Sequence, residues 1–163
     1  MYNENMKNNI LIRKAKISDL KDILRLNLEL FKKENKEYGD TLNLKWTYTA
    51  GKKFFREKII KKSCFVEVVE VDDKIVAYLC GEICQGMFYR KKARYAELEN
   101  MLIEEICRGK GIGTRLAEDF IKWCKKNEVD YISVTASAQN RQGLDFYRKL
   151  GFIDNSVSLE IAV

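Results

Sequence analysis

The sequence predicts an α/β fold: a mixed, largely antiparallel sheet flanked by helices in a single domain. Three observations carry this. The periodicities run strand, two helices, three strands, helix, strand, helix, then one or two strands. The 163 residues are the size of one domain and enough to bury a core. Hydrophobic residues at 46% and charged residues at 33% match an ordinary globular protein. No linker, repeat or low-complexity block divides the chain.

Ile10 to Lys14 reads as a first strand. Ser18 is placed to cap a helix running to about Lys36, with Leu20, Ile23, Leu24, Leu28 and Phe31 on its apolar stripe. Tyr38 to Thr49 reads as a loop, and Ala50 to Lys61 as a second helix with Phe54, Phe55 and Ile59 inward. Cys64 to Val71, the turn Asp72-Asp73 and Lys74 to Cys84 make a hairpin. After a polar connection, Gln85 to Lys92, comes a strand from Tyr95 to Ile103. A glycine cluster then opens an amphipathic helix from about Gly111 to Asn127, which carries Leu116, Ala117, Phe120, Ile121 and Cys124 on one side. Tyr131 to Ala136 is a strand, and Asn140 to Leu150 a helix stopped by Gly151. Phe152 to Val163 is expected to add the last one or two strands.

Composition excludes several chemistries. There is no histidine, so neither a histidine-activated nucleophile nor a histidine-ligated metal is available. The five cysteines are odd in number and lack Cys-x-x-Cys spacing, which argues against a disulfide framework and a structural zinc. Met1 to Asn9 is polar, unlike a signal peptide, and no apolar stretch approaches the ~18 residues of a membrane helix. These features predict a cytoplasmic protein. The net charge of +6 favours an anionic partner: nucleic acid, acidic membrane or a phosphorylated cofactor.

The most informative segment is Arg108-Gly109-Lys110-Gly111-Ile112-Gly113-Thr114, between a strand and a helix. Free amides at a helix start attract anions, and glycines let the backbone approach a phosphate. Arg108 and Lys110 add charged donors. A P-loop is excluded because Lys110 is misplaced for one, and a dinucleotide fingerprint because Thr114 stands where its third glycine belongs.

This segment resembles the acyl-CoA loop of the GCN5-related N-acetyltransferase (GNAT) family, Arg/Gln-x-x-Gly-x-Gly/Ala, through Arg108, Gly111 and Gly113. Downstream, Asn140, Tyr147 and Leu150-Gly151-Phe152 resemble the family's second signature. Gly143 departs from it, standing where the family often has alanine. The resemblance implies a single GNAT domain. Residues 1–62 would shape the acceptor site, 63–152 would form the acetyl-CoA-binding core, and 153–163 would be a C-terminal strand. It further implies a gap between the strands Tyr95–Ile103 and Tyr131–Ala136. Met101, Leu102 and Ile103 would hold the pantetheine arm there, Arg108 to Thr114 the pyrophosphate, and Asn140 the pantetheine or the thioester region. Acetyl-CoA is the implied co-substrate, with no metal.

The implied chemistry is direct attack of an amine on the thioester, with Tyr147 donating a hydrogen bond to the leaving sulfur. Glu99 or Glu97, the former preferred, would act as base directly or through water. By simple alternation both share a strand face with Met101 and Ile103. Plain structural readings stand beside these: Asn140 as a helix cap, Tyr147 as core, the two glutamates as solvated surface.

Tyr38, Trp46 and Tyr48, with Glu34, Glu37 and Asp40 nearby, could form a pocket for a cationic acceptor or merely anchor a surface loop. The acceptor is open among small amines, polyamines, aminoglycosides and peptide amines. Two other classes remain: a non-catalytic acyl-CoA sensor on the same fold, and a nucleic-acid-binding module. The basic residues are dispersed, which disfavours nucleic acid, and no membrane partner is expected. Val157 to Val163 offers an edge that could pair with a second copy in a homodimer.

Overall fold

In the computed structural model, which describes residues 10–86 and 92–162, five strands form one sheet in chain order. They are β1 (Ile10–Lys14), β2 (Cys64–Val71), β3 (Lys74–Gln85), β4 (Arg94–Ile103) and β5 (Tyr131–Val134). The first three pairings are antiparallel and the last, β4 with β5, is parallel. The β2–β3 turn is tight because Asp72 and Asp73 both take positive φ, 49° and 62°. Helices α1 (Leu20–Tyr38) and α2 (Ala50–Ile60) cover one face. Helix α3 (Ile112–Lys126) covers the other, and α4 (Arg141–Lys149) brings Tyr147 against the same core.

Two apolar cores follow from this layering. Ile23, Leu26, Phe55, Val68, Tyr78 and Leu102 fill the α1–α2 side. Val69, Leu79, Ala96, Leu98, Leu116 and Phe120 fill the α3 side. At Gly81 the helix lies so close that a Cβ would sit 2.6 Å from the Phe120 ring and 2.7 Å from the Glu97 carbonyl.

Strand β4 holds one extra residue. Its pairing with β3 steps from Cys80–Asn100 to Gly81–Leu98, so Glu99 has no opposite number. This bulge overturns the expected alternation. Ahead of it, Ala96 and Leu98 point to α3; beyond it, Met101 and Ile103 do. Glu97 and Glu99 therefore lie on the α1–α2 side, opposite to Met101 and Ile103.

Other boundaries differ for local reasons. Ser18 does not cap α1; it lies in a short 3-10 turn, Ile17–Asp19, before the helix. There the Asp19 carboxylate accepts the Lys16 amide (2.8 Å) and the Arg13 guanidinium (2.7 Å). The Tyr38–Thr49 loop contains a 3-10 turn, Leu44–Tyr48. The expected C-terminal strand is absent from residues 152–162. Val157, Leu159 and Ile161 alternate as a strand would, yet each is at least 85% exposed and no neighbouring strand pairs with them. The edge expected to meet a second copy is thus not a strand here. Most of the Gln85–Lys92 connection, the polar start Met1–Asn9 and Val163 fall outside the described residues. Among the described residues no helix is long and apolar enough to cross a membrane.

Candidate active site

Strands β4 and β5 pair only from Tyr95–Tyr131 to Leu98–Val134. Past Leu98, β4 runs on to Ile103 without β5 beside it, leaving backbone of Met101, Leu102 and Ile103 facing a gap. A cavity of about 590 Å³ fills that gap, a volume in the range of small-molecule sites. Its lining joins the glycine loop at one end, the unpaired part of β4 along its length, and α1 and α4 at the other end.

The loop has the backbone that glycine permits. Gly109 and Gly111 take φ of +74° and +76°, and a Cβ on either would meet nothing within 4 Å. Helix α3 starts directly after Gly111, so its first amides lack intrahelical acceptors and point outward. Arg108, Gly109, Gly111, Ile112, Gly113 and Thr114 line the cavity; Lys110 does not, being exposed outside it. The Arg108 Nε donates to the Ile103 carbonyl at 2.9 Å. One carbonyl expected to face the pantetheine arm is therefore already engaged, and Arg108 is anchored with its terminal nitrogens left for an anion. Amides at a helix start, bare glycines and a fixed guanidinium suit a diphosphate.

Asn140 lines the cavity and also caps α4, its Oδ1 accepting the Gly143 amide at 2.9 Å. At Gly143, the departure from the family pattern, a Cβ would stand 2.6 Å from the Asn140 Nδ2. Tyr147 lines the same wall, held edge-on between Phe146 and Phe152 at 5.1 and 5.7 Å between ring centres. Burial, with a contribution from the charge of Glu34, pushes its hydroxyl up to about 12, so it keeps its proton.

The two strand carboxylates part company. Glu99 lines the cavity, whereas Glu97 does not. Glu97 stands opposite Glu82 in the β3–β4 register, away from the gap. Glu99 is held from behind: Lys58 of α2 donates to it at 2.8 Å, and the Cys80 thiol approaches its other oxygen at 3.7 Å. Lys58 also bonds Glu82, which Lys61 meets at 2.7 Å. Burial opposes the Lys58 charge, but the two carboxylates outweigh it and raise its pKa.

The aromatic acceptor pocket is only partly assembled. Tyr38 lines the cavity, but Trp46 and Tyr48 do not. Trp46 packs against Phe31, Phe54 and Phe55 and lies against Gly51, because the 3-10 turn aims it into the α1–α2 core. Tyr48 projects outward, 56% exposed. Helix α1 instead supplies Leu30, Phe31, Lys33 and Glu34 to the wall. The lining also includes Asn100, tied at 3.5 Å to the buried Asn27, itself bonded to Tyr78 and Thr47. A buried asparagine within an apolar helical stripe was the signal for this network. Among the described residues no group of three His, Cys, Asp or Glu side chains is arranged to hold a metal.

Comparison with known proteins agrees with this geometry. The family model described as "Acetyltransferase (GNAT) family" matches residues 21–152. An uncharacterized N-acetyltransferase of Methanocaldococcus jannaschii is 26% identical over 146 residues, 90% of this chain; the chain spans 62% of that relative's length. A mutant of the BH1408 protein of Bacillus halodurans has the same fold, with TM-score 0.80, 24% identity and coverage of 94% of this chain and 99% of that one. A predicted acetyltransferase of Clostridium acetobutylicum, solved with acetyl-CoA, gives 0.72 at 22% identity, covering 94% and 96%. The aminoglycoside N-acetyltransferase AAC(6')-Iy, solved with CoA, gives 0.73 at 12% identity, covering 97% of each chain. With the family model spanning most of its length, the chain belongs to the GNAT acetyltransferase family.

Proposed function

We propose that the chain transfers the acetyl group of acetyl-CoA to a primary amine by direct attack in a ternary complex. The observation that carries this reading is the single cavity in which the glycine loop, the unpaired stretch of β4, Tyr147 and Glu99 meet. Residues 63–152 form the coenzyme-binding core: Arg108–Thr114 hold the pyrophosphate, and the backbone of Met101 and Leu102 pairs with the pantetheine arm. Asn140 orients the thioester end. Residues 1–62 shape the acceptor end through α1, with Tyr38 on its wall.

The amine nitrogen bonds to the thioester carbon, the carbon–sulfur bond breaks, and one amine proton must leave. A free alkyl amine of pKa ~10.4 is mostly protonated at neutral pH, a handicap of ~4–5 kcal/mol. Glu99 is the strand carboxylate that can receive the proton, directly or through one water. Lys58 holds one of its oxygens at 2.8 Å, which fixes the carboxylate in place on the cavity wall. Tyr147 hydrogen-bonds the departing thiolate. With its pKa at about 12 against ~8.5 for a thiol, full transfer would cost ~5 kcal/mol, so the tyrosine stabilises charge as a donor.

The test is thiol release from acetyl-CoA across a panel of amines that includes aminoglycosides, beside calorimetric titration with coenzyme A. Coenzyme binding with amine-dependent release is expected. No heat and no thermal shift at saturating coenzyme would remove the assignment; binding without turnover on any amine would leave an acyl-CoA sensor.

A further inference from the structure

The acceptor end of the cavity contains a carboxylate, Glu34, that forms no ion pair with any of the described residues. Among the described residues, each other charged side chain on the wall has a hydrogen-bond or ion-pair partner, and of these Arg108 keeps its terminal nitrogens for an anion. Lys33 reaches Glu37 at 3.9 Å, Glu99 is held by Lys58, and Arg108 is bonded to Ile103. Glu34 is half-buried, and against the opposing charge of Lys33 that burial raises its pKa. Its charge acts on three tyrosines from three elements: Tyr38 of α1, Tyr78 of β3 and Tyr147 of α4. Glu34 thus shares the cavity wall with Tyr38 and Tyr147.

Its neighbours on the helix define what would fit. Leu30 and Tyr38 stand one turn to either side, and Phe31 three residues before it, all on the same wall. An isolated, partly desolvated carboxylate among apolar and aromatic groups is unfavourable until a cation joins it. The attacking nitrogen cannot be that cation, because it must be neutral to react. We infer that Glu34 anchors a second, protonated amine of the acceptor, whose alkyl chain lies along Leu30 and Phe31, so that this enzyme selects compact di- or polyamines over monoamines. This rests on the acetyltransferase reading above.

The experiment compares 1,4-diaminobutane and spermidine with n-butylamine as acceptors for the wild type and for Glu34→Gln, which keeps side-chain shape and removes charge. Coenzyme A affinity is measured on both proteins. The wild type should show a KM for the diamine at least about tenfold below that for the monoamine, as expected for one charge-assisted hydrogen bond. In Glu34→Gln the diamine KM should rise by about tenfold or more and the diamine-to-monoamine ratio of kcat/KM should fall by the same factor, with coenzyme affinity within about twofold. A merely structural role would lower both acceptors together. Equal diamine KM values in the two proteins, or no wild-type preference for diamine, overturn the inference and leave the acetyltransferase reading intact. Failure of the wild type to bind coenzyme A overturns both.

Discussion

Replacing Glu67 by glutamine is expected to stabilise the protein at pH 8 and to change little at pH 5. Glu67 lies on β2 and faces α3 between Phe65 and Val69, two members of the α3-side core. Its Oε2 is buried without a hydrogen-bond partner among the described residues. Burial, reinforced by Asp119 and opposed by Arg115 and Lys122, raises its pKa from 4.5 to about 7. Between those two values the folded protein holds a proton that the unfolded chain has released, so stability falls as pH rises through that window. The penalty is absent below pH 4.5 and complete above pH 7. Taken whole, the rise corresponds to ~3 kcal/mol. The carboxyl keeps some contact with solvent, and screening reduces this to ~1–2 kcal/mol. Urea unfolding of wild type and Glu67→Gln at pH 5, 6, 7 and 8 measures it directly. The variant should be about equal at pH 5 and ahead by ~1–2 kcal/mol at pH 8, with the midpoint moving and the slope constant. A difference independent of pH, or a wild type that gains stability between pH 5 and 7, would refute the reasoning.

Tyr147→Phe should lower kcat by ~10–100-fold with coenzyme affinity within about twofold, since one donor to the developing thiolate is lost; unchanged turnover on a working acceptor removes the role. Glu99→Gln should move the rising limb of the pH–rate profile upward, and an unshifted profile would assign proton removal to bulk water. Lys58→Met should destabilise by ~3 kcal/mol, measured by denaturant unfolding, because Glu82 and Glu99 lose their shared cation; a neutral effect would mean that both carboxylates find solvent. Gly81→Ala should cost several kcal/mol, ~2–4, because its Cβ meets the Phe120 ring and the Glu97 carbonyl, and the latter cannot move aside; a melting temperature within a degree or so of wild type would contradict the close approach.

The hairpin, the strand Ile10–Lys14 and the loop before α3 were legible because their signals are local. Asp72-Asp73 takes positive φ, and glycines cluster where amides must be bare. The two acetyltransferase signatures placed Tyr147 and Asn140 on the cavity wall for the same reason. What escaped depends on distant partners. Nothing in the residues around Glu99 announces a bulge, which arises from pairing with β3, so plain alternation puts Glu97 and Glu99 on the wrong side of the sheet. Trp46 sits in a loop by sequence, and only the fold brings Phe31, Phe54 and Phe55 around it. Val157, Leu159 and Ile161 have a strand's alternation, but alternation supplies no hydrogen-bonding neighbour. Glu34 was visible as an acid near aromatic residues; its place in the cavity follows from the pitch of α1 and the gap beside β4.

The one-residue insertion at Glu99 also governs how this strand can be redesigned. Parity reverses there: even-numbered positions 96 and 98 serve the α3 core, then odd-numbered positions 101 and 103 do. A designer who treats Arg94–Ile103 as one continuous ribbon would send polar residues into one of the two interiors. Deleting Glu99 alone would leave a regular ribbon in which Leu98, Asn100 and Met101 keep their present faces, and would take from the gap the strand carboxylate that lines it.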